Sequence, residues 1–239
     1  MKRLICISGI DVEIINKDIK NLHVGVYPPE GRVRVAAPLQ VDENAVRMAV
    51  ISKLSWIKRQ KASFHEQSRQ SKREYVPRES HYFLGDRYLL NVNEQPGVAR
   101  VEIRRKNQLD LFVPYGSDAS QRERVLFAWY RKELRARIPN LIDKWQAIIG
   151  VEVVDWGIKR MKTKWGSCNI EARRIWLNLE LAKKPVQCLE YIVVHEMVHL
   201  LERHHNERFA ELMDGFMPSW RLYRDELNRT PLGHEKWSY

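Results

Sequence analysis

The thirteen residues from Val193 to His205, VVHEMVHLLERHH, contain four histidines and two glutamates. On a helix, His195 and His199 stand four residues apart, so their rings share one face and can grip one ion together. Glu196 is rotated by about 100° from His195 and can face a water beside that ion without binding the ion itself. The HExxH spacing thus separates two ligands from one base. A catalytic zinc site takes three protein ligands and keeps a fourth position open, so the pattern calls for a third donor.

His205 lies six residues beyond His199, the offset at which metzincin-type motifs place a third histidine. On an unbroken helix it would point about 240° away from His199, so the chain must leave the helix between them. Metzincins use a glycine for that exit, where this chain has Glu202. A left-handed His204 would make the turn, and Asn206 would cap the next helix. His204 is the competing ligand, its plainer role being an exposed turn residue. Glu207 and Glu211 are further alternatives, plainer as solvated charges. HExxH alone specifies only three residues, and its surroundings add weight. Tyr191 to Val194 together with Met197, Val198, Leu200 and Leu201 make the helix apolar on nearly every side, which implies burial. Buried imidazoles and carboxylates need partners.

Several elements must hold this helix. Pro185 opens it. Before it, RIWLNLEL from Arg174 to Leu181 reads as a strand with Ile175, Leu177 and Leu179 on one face, and Val151 to Trp156 as another. After it, Asn206 to Leu227 is helical with Phe209, Leu212, Phe216 and Trp220 inward, interrupted near Pro218. From Ser120 to Ile149, the residues Val125, Trp129, Leu134, Ile138, Leu141, Ile142 and Trp145 form the apolar stripe of a helix. The first half is strand-rich. Alternation marks Val12 to Ile15, Val24 to Val26 and Val33 to Val35, the last two separated by the breaker run Pro28-Pro29-Glu30-Gly31. Two strand pairs come later, one about Gly85-Asp86 and one about Lys106-Asn107. Ahead of them Asp42 caps one long basic helix through Val46, Val50, Leu54, Ile57 and Phe64. The expected fold is α+β: a β-rich N-terminal region with a long helix over residues 1–115, then a compact core over 116–239. No internal repeat, low-complexity tract or linker is read from the sequence.

The 239 residues, 44% of them apolar, suffice for a sizeable core. No apolar run approaches the roughly eighteen residues that cross a bilayer, and the opening MKRLICISGIDVEI is soon broken by charge, so neither membrane span nor signal peptide is expected. A cytoplasmic protein is expected, with Cys6, Cys168 and Cys188 as reduced thiols far apart. The net charge of +11 admits a polyanionic partner, although it also serves solubility.

The ordered set RMKTKWGSCN, IWLNLELAKKP, CLEYIVVHEMVHLLERHHNERF and PSWRLYRDELN resembles the YgjP-like metal-dependent hydrolases, relatives of the SprT-like zincin metallopeptidases. The similarity extends upstream through NLHVGVYPPEGRVRVAAP and KLSWIKRQ, over nearly the whole chain. It implies a zincin-like core in which a small sheet packs on the HExxH helix. It also implies that His195, His199 and His205 bind Zn2+ and that Glu196 is the general base. Trp165 to Cys168, WGSC, belongs to the resemblance. By itself a glycine in a strand-like run signals close backbone approach, either of a substrate along a sheet edge or of a packed bend. Cys168 reads as a small buried side chain, with contact to the metal as the alternative.

The chemistry this implies is hydrolysis. Zinc on neutral imidazoles makes its water acidic near neutrality, and Glu196 takes the proton as the peptide carbonyl is attacked. Two alternatives stand beside a protein or peptide substrate. One is hydrolysis of nucleoside triphosphate phosphoanhydrides, with the basic run Lys159, Arg160, Lys162 and Lys164 holding phosphates; the plainer role of that run is a solvated edge. The other is a nucleic-acid-binding protein with a structural metal, in which Lys53, Lys58, Arg59, Lys61, Arg69, Lys72 and Arg73 meet phosphates while Trp56 and Tyr75 stack on bases.

Overall fold

Strand β1 (Lys2–Ile7) turns through Ser8 and Gly9, both at positive φ, into β2 (Ile10–Lys17), and the two pair antiparallel. Strand β3 (His23–Tyr27) pairs antiparallel with β4 (Arg32–Pro38), which runs parallel to β2, so the sheet has the order β1-β2-β4-β3. The alternation expected from the sequence is therefore the burial pattern. Val12, Ile14, Val33 and Val35 face one core, joined by Val46, Val50 and Ile57 from the next two helices. The computed structural model describes residues 2–27, 31–66, 73–105, 107–161 and 164–229; residues 28–30 of the expected breaker run and Lys106 of the expected second turn lie outside them.

Asp42 caps as expected, its carboxylate accepting from the Ala45 amide at 2.8 Å. The single long basic helix is not found. It is two helices, α1 (Glu43–Ser52) and α2 (Leu54–Glu66), parted at Lys53. The Ser52 hydroxyl donates back to the Ala49 carbonyl at 3.0 Å, a local bond that competes with the helical ladder, and Lys53 leaves helical geometry.

The next sheet repeats the plan of the first. Strands β5 (Ser80–Phe83), β6 (Asp86–Glu94), β7 (Arg100–Arg105) and β8 (Gln108–Val113) stand in the order β5-β6-β8-β7, again with one parallel pair between the second and fourth strands. A constant spacing of 76 residues relates the two: Gly9 and Gly85 occupy the positive-φ turn after the first strand, and Asp42 and Asp118 cap the helix after the fourth. The buried residues Val12, Ile14, Val33 and Val35 correspond at that spacing to Tyr88, Leu90, Leu109 and Leu111, all buried. The absence of an internal repeat, expected from the sequence, is corrected by this duplication.

The chain forms two compact units, one within residues 1–69 and the other within 70–233. The boundary expected at 115/116 falls inside the second unit, between β8 and α3 (Ala119–Ile149). Hydrogen bonds explain why the second sheet belongs with α3 and the segments beyond it. The Tyr130 hydroxyl of α3 donates to the Tyr82 carbonyl at 2.8 Å, and the Leu84 amide donates to Ala182 at 2.9 Å. The β5–β6 turn also presses on Pro185, whose Cγ would lie 2.9 Å from a Cβ on Gly85. The buried stripe of α3 contains Leu134, Ile138, Ile142 and Trp145 as expected, together with Leu126, Tyr130 and Ile149; Val125, Trp129 and Leu141 are half-buried.

A three-stranded sheet completes the second unit, with order β10-β11-β9 from β9 (Asp155–Lys159), β10 (Gly166–Asn169) and β11 (Arg174–Asn178). The strand expected at Val151 to Trp156 starts only at Asp155. The Val153 amide is taken by the Gln146 side chain at 2.7 Å and the Val154 amide by the Arg173 carbonyl at 2.9 Å, outside the ladder. The expected strand to Leu181 stops at Asn178, whose side chain accepts from the Glu180 amide and starts a 3-10 turn, Leu179–Lys183. Pro185 then precedes α4 (Val186–Val198), which packs on β10 and β11. The last helical stretch is divided, α5 (Glu207–Phe216) and α6 (Trp220–Arg229), with Pro218 between them. The protein is thus a mixed α+β structure. Among the described residues no helix is long and apolar enough to cross a membrane.

Candidate metal centre

Helix α4 is buried on nearly every side and carries His195 and Glu196 in its last turn, with His199 at its C-cap. The helix then unwinds through tight turn bonds, Leu200 to Met197 and Leu201 to Val198, at 3.0 and 2.9 Å. The exit expected before His205 is there, but not by the expected route. His204 is not among the described residues with positive φ. Instead the Glu202 carboxylate accepts from the His204 amide at 3.0 Å, and the Asn206 amide donates to the His204 carbonyl at 2.8 Å. A carboxylate so placed bends the chain without a left-handed residue. Asn206 caps α5 as expected, accepting from the Phe209 amide at 2.9 Å.

That turn returns His205 to the other two histidines. Its Nε2 lies 3.0 Å from Nε2 of His195, and one nitrogen from each of His195, His199 and His205 falls within 4.8 Å of the others. Phe209 sits against all three rings at 4.8–4.9 Å between centroids. Its position three residues after the cap gives it no signal in sequence beyond being buried. His204, Glu207 and Glu211 are outside the cluster and exposed, with Glu211 within 3.4 Å of Arg208.

The rings are suited to metal binding. His199 Nδ1 is 3.1 Å from the Glu202 carbonyl, which favours a proton on Nδ1 and leaves Nε2 as the donor atom. Burial, followed by the neighbouring His199 and His205, drives His195 down to about 3, and burial likewise lowers His199, so both stay neutral with lone pairs available. Two imidazole nitrogens 3.0 Å apart can share only one proton, and a cation is the natural partner for both lone pairs. The donor set therefore fits a divalent transition metal.

Glu196 is 4% exposed. Burial pushes its carboxyl up to about 8, with Lys164 the opposing charge. Its carboxylate lies against the backbone of β10: a Cβ on Gly166 would come within 2.8 Å of the Glu196 Cδ and Cγ, and closer still to Oε1. This is the close approach that the glycine of WGSC signals, and the approaching group is a side chain of the HExxH helix. Asn178, fully buried, fixes the segment before β10. Its Nδ2 donates to the carbonyls of Met161 and Lys164 at 2.8 and 2.7 Å, and its amide donates to Trp165 at 2.9 Å. Nothing in the sequence marks Asn178 for this role, because its partners are distant backbone carbonyls.

The cluster opens into a cleft of about 990 Å³, with β10 along one wall and Tyr191 and Arg224 on others. Tyr191 stands edge-on to His195 and stacks on Trp220. Cys168, half-buried, also lines the cleft, and burial raises its thiol to about 11, so it stays protonated and is not part of the imidazole cluster. Of the basic run, Lys164 alone of the described members lines the cleft. Lys159 lies over the Trp176 ring, Arg160 is 3.3 Å from Glu123, and Lys162 falls outside the described residues. The nucleic-acid reading loses Tyr75, which is buried and donates its hydroxyl to Glu123 at 2.9 Å, and Arg73, which pairs with Glu79; Arg69 and Lys72 lie outside the described residues.

Imidazoles that converge beside a buried carboxylic acid, at the end of a helix backed by a small sheet, suit a metal-dependent hydrolase. The sequence profile of the YgjP-like metallopeptidase domain matches residues 21–230, and the chain belongs to that family. Among solved structures it is similar to the metallopeptidase zymogen abylysin of Pyrococcus abyssi, at 18% identity over 38% of this chain and 90% of that one, with a TM-score of 0.36. The zymogen jannalysin of Methanocaldococcus jannaschii is similar at 19% identity over 38% and 92%, with a TM-score of 0.34. Curated protein sequences give no match.

Proposed function

We propose that this protein is a zinc-dependent metallopeptidase in which His195, His199 and His205 hold the metal and Glu196 is the general base. The observation that carries this reading is the approach of three imidazoles, 3.0 Å between the nearest nitrogens, beside the buried Glu196 carboxylate on the helix that carries His195. Zinc held there would supply an acidified water and polarise a substrate carbonyl. The chain supplies the rest. Glu196, pressed against Gly166, takes a proton on its carboxylate and returns it to the leaving amine. Its raised pKa suits that shuttle, and a cation nearby would draw the value down toward neutrality. The Glu202 carbonyl keeps His199 in one orientation. Strand β10 ends its sheet, so its outer backbone edge offers hydrogen bonds to an extended protein or peptide substrate.

A second reading, hydrolysis of nucleoside triphosphates, draws on Lys164, whose charge lies at the cleft beside Glu196. One experiment separates them. The zinc-loaded protein is given a peptide library, with products read by mass spectrometry, and a set of nucleoside triphosphates, with phosphate release measured. Peptide cleavage that is lost with a chelator, and lost in Glu196→Gln while zinc is retained, supports the peptidase. Phosphate release with the same two sensitivities and intact peptides would overturn it.

A further inference from the structure

Several cations of this basic chain are neutralised locally, as in Arg34 with Glu13 and Arg137 with Glu133. Three cations converge on the cleft. Lys164, Arg203 and Arg224 reach it from three elements, namely the segment before β10, the turn between α4 and α5, and α6. Among the described residues Lys164 and Arg203 have no carboxylate within ion-pair distance, and all three are exposed. Arg224 is held over the Trp220 ring, and among the described residues its ion pair is with its chain neighbour Asp225 at 3.2 Å. Apart from Glu196, the described residues that line the cleft include one carboxylate, Glu171. Concave walls of one charge sign focus potential toward the bound molecule.

We propose that Lys164, Arg203 and Arg224 make this cleft select peptides with acidic side chains flanking the scissile bond. The inference rests on the peptidase reading and names its substrate class. Cations so placed repel a basic segment, and Lys164 and Arg203 need break no internal ion pair when an acidic one enters. Lysine and two arginines on different walls give glutamate or aspartate on either side of the reacting bond a partner.

The test uses full-length Glu196→Gln, loaded with zinc, and three fluorescein-labelled peptides of one sequence in which the flanking positions are all Glu, all Gln or all Lys. The Glu peptide is expected to bind at least 10-fold tighter than the Gln peptide at low salt, with the gap closing as salt rises. In the further variant Lys164→Gln/Arg203→Gln the gap should shrink to under 3-fold with zinc content and circular dichroism unchanged. Arg124→Gln/Lys132→Gln, which removes two charges from α3 outside the cleft, should leave it intact. Equal binding of the Glu and Gln peptides, or a preference lost equally in the α3 variant, would overturn the proposal. Wild-type cleavage of the same peptides distinguishes the two levels. Equal cleavage of all three sinks the selectivity and leaves the peptidase standing, whereas acidic preference in binding with no cleavage sinks the peptidase alone.

Discussion

At Gly166 a single missing methyl group sets the position of the Glu196 carboxyl, the proposed general base, which fills the space a Cβ would occupy. Gly166→Ala should therefore displace Glu196 and cut peptide hydrolysis by about 100-fold with zinc content unchanged, since small misplacements of a catalytic group cost rates of that order. Full activity in this variant would remove Gly166 from the site. Glu196 also makes a stability prediction. Its carboxyl rises from the usual 4.5 to about 8 in the fold, so the metal-free native state binds more protons than the unfolded chain between those values, and stability falls as pH rises through them. His195, lowered from 6.5 to about 3, acts oppositely, raising stability with pH up to 6.5 and adding nothing above. Between pH 6.5 and 8 the Glu196 effect stands largely alone. Urea midpoints of the chelated wild type should drop across that window while those of Glu196→Gln stay level; equal slopes would refute the assignment. At this scale the histidines and Glu196 were legible because helical spacing constrains them. Asn178, Phe209 and the Glu202 carbonyl were not, since they act through contacts that only the fold creates.

Among the elements, the turn from His199 to Asn206 carries the most weight, since it brings His205 to the other imidazoles. Asn206 anchors its far end. Asn206→Ala should lower stability by about 1 kcal/mol and weaken zinc binding several-fold, with Asn206→Asp restoring both. Unfolding curves and zinc competition would check this, and unchanged zinc affinity in the alanine variant would mean that the cap does not position His205. The need for a helix exit was legible, because six residues at helical pitch face the wrong way. The way it is achieved was not: a glutamate carboxylate bends the chain where a left-handed His204 was expected. The same limit applies at Ser52 and Lys53, where apolar spacing runs smoothly through a break made by one side-chain hydrogen bond.

Across the whole molecule, a sheet-and-helix plan occurs twice at a spacing of 76 residues, as from Gly9 to Gly85. The repeat escaped the sequence because the matching core positions hold different residues, Val12 against Tyr88 and Val33 against Leu109; Gly9, Pro38 and Asp42 are among the few that recur, as Gly85, Pro114 and Asp118. Alternation records which side is buried, while the volume of each side chain is free to vary. The first copy keeps a core of its own, from Ile7 to Ile57. Residues 1–69 expressed alone should fold cooperatively, with dispersed amide resonances and a sigmoidal thermal transition; a disordered spectrum would show that this core needs the rest of the chain. The proposed catalysis depends on three imidazoles holding one metal ion. Zinc content of the purified wild type beside His205→Ala and His204→Ala tests that most directly: one equivalent is predicted in the wild type and in His204→Ala, with loss in His205→Ala. A full equivalent retained by His205→Ala, or none bound by the wild type in excess zinc, would contradict it.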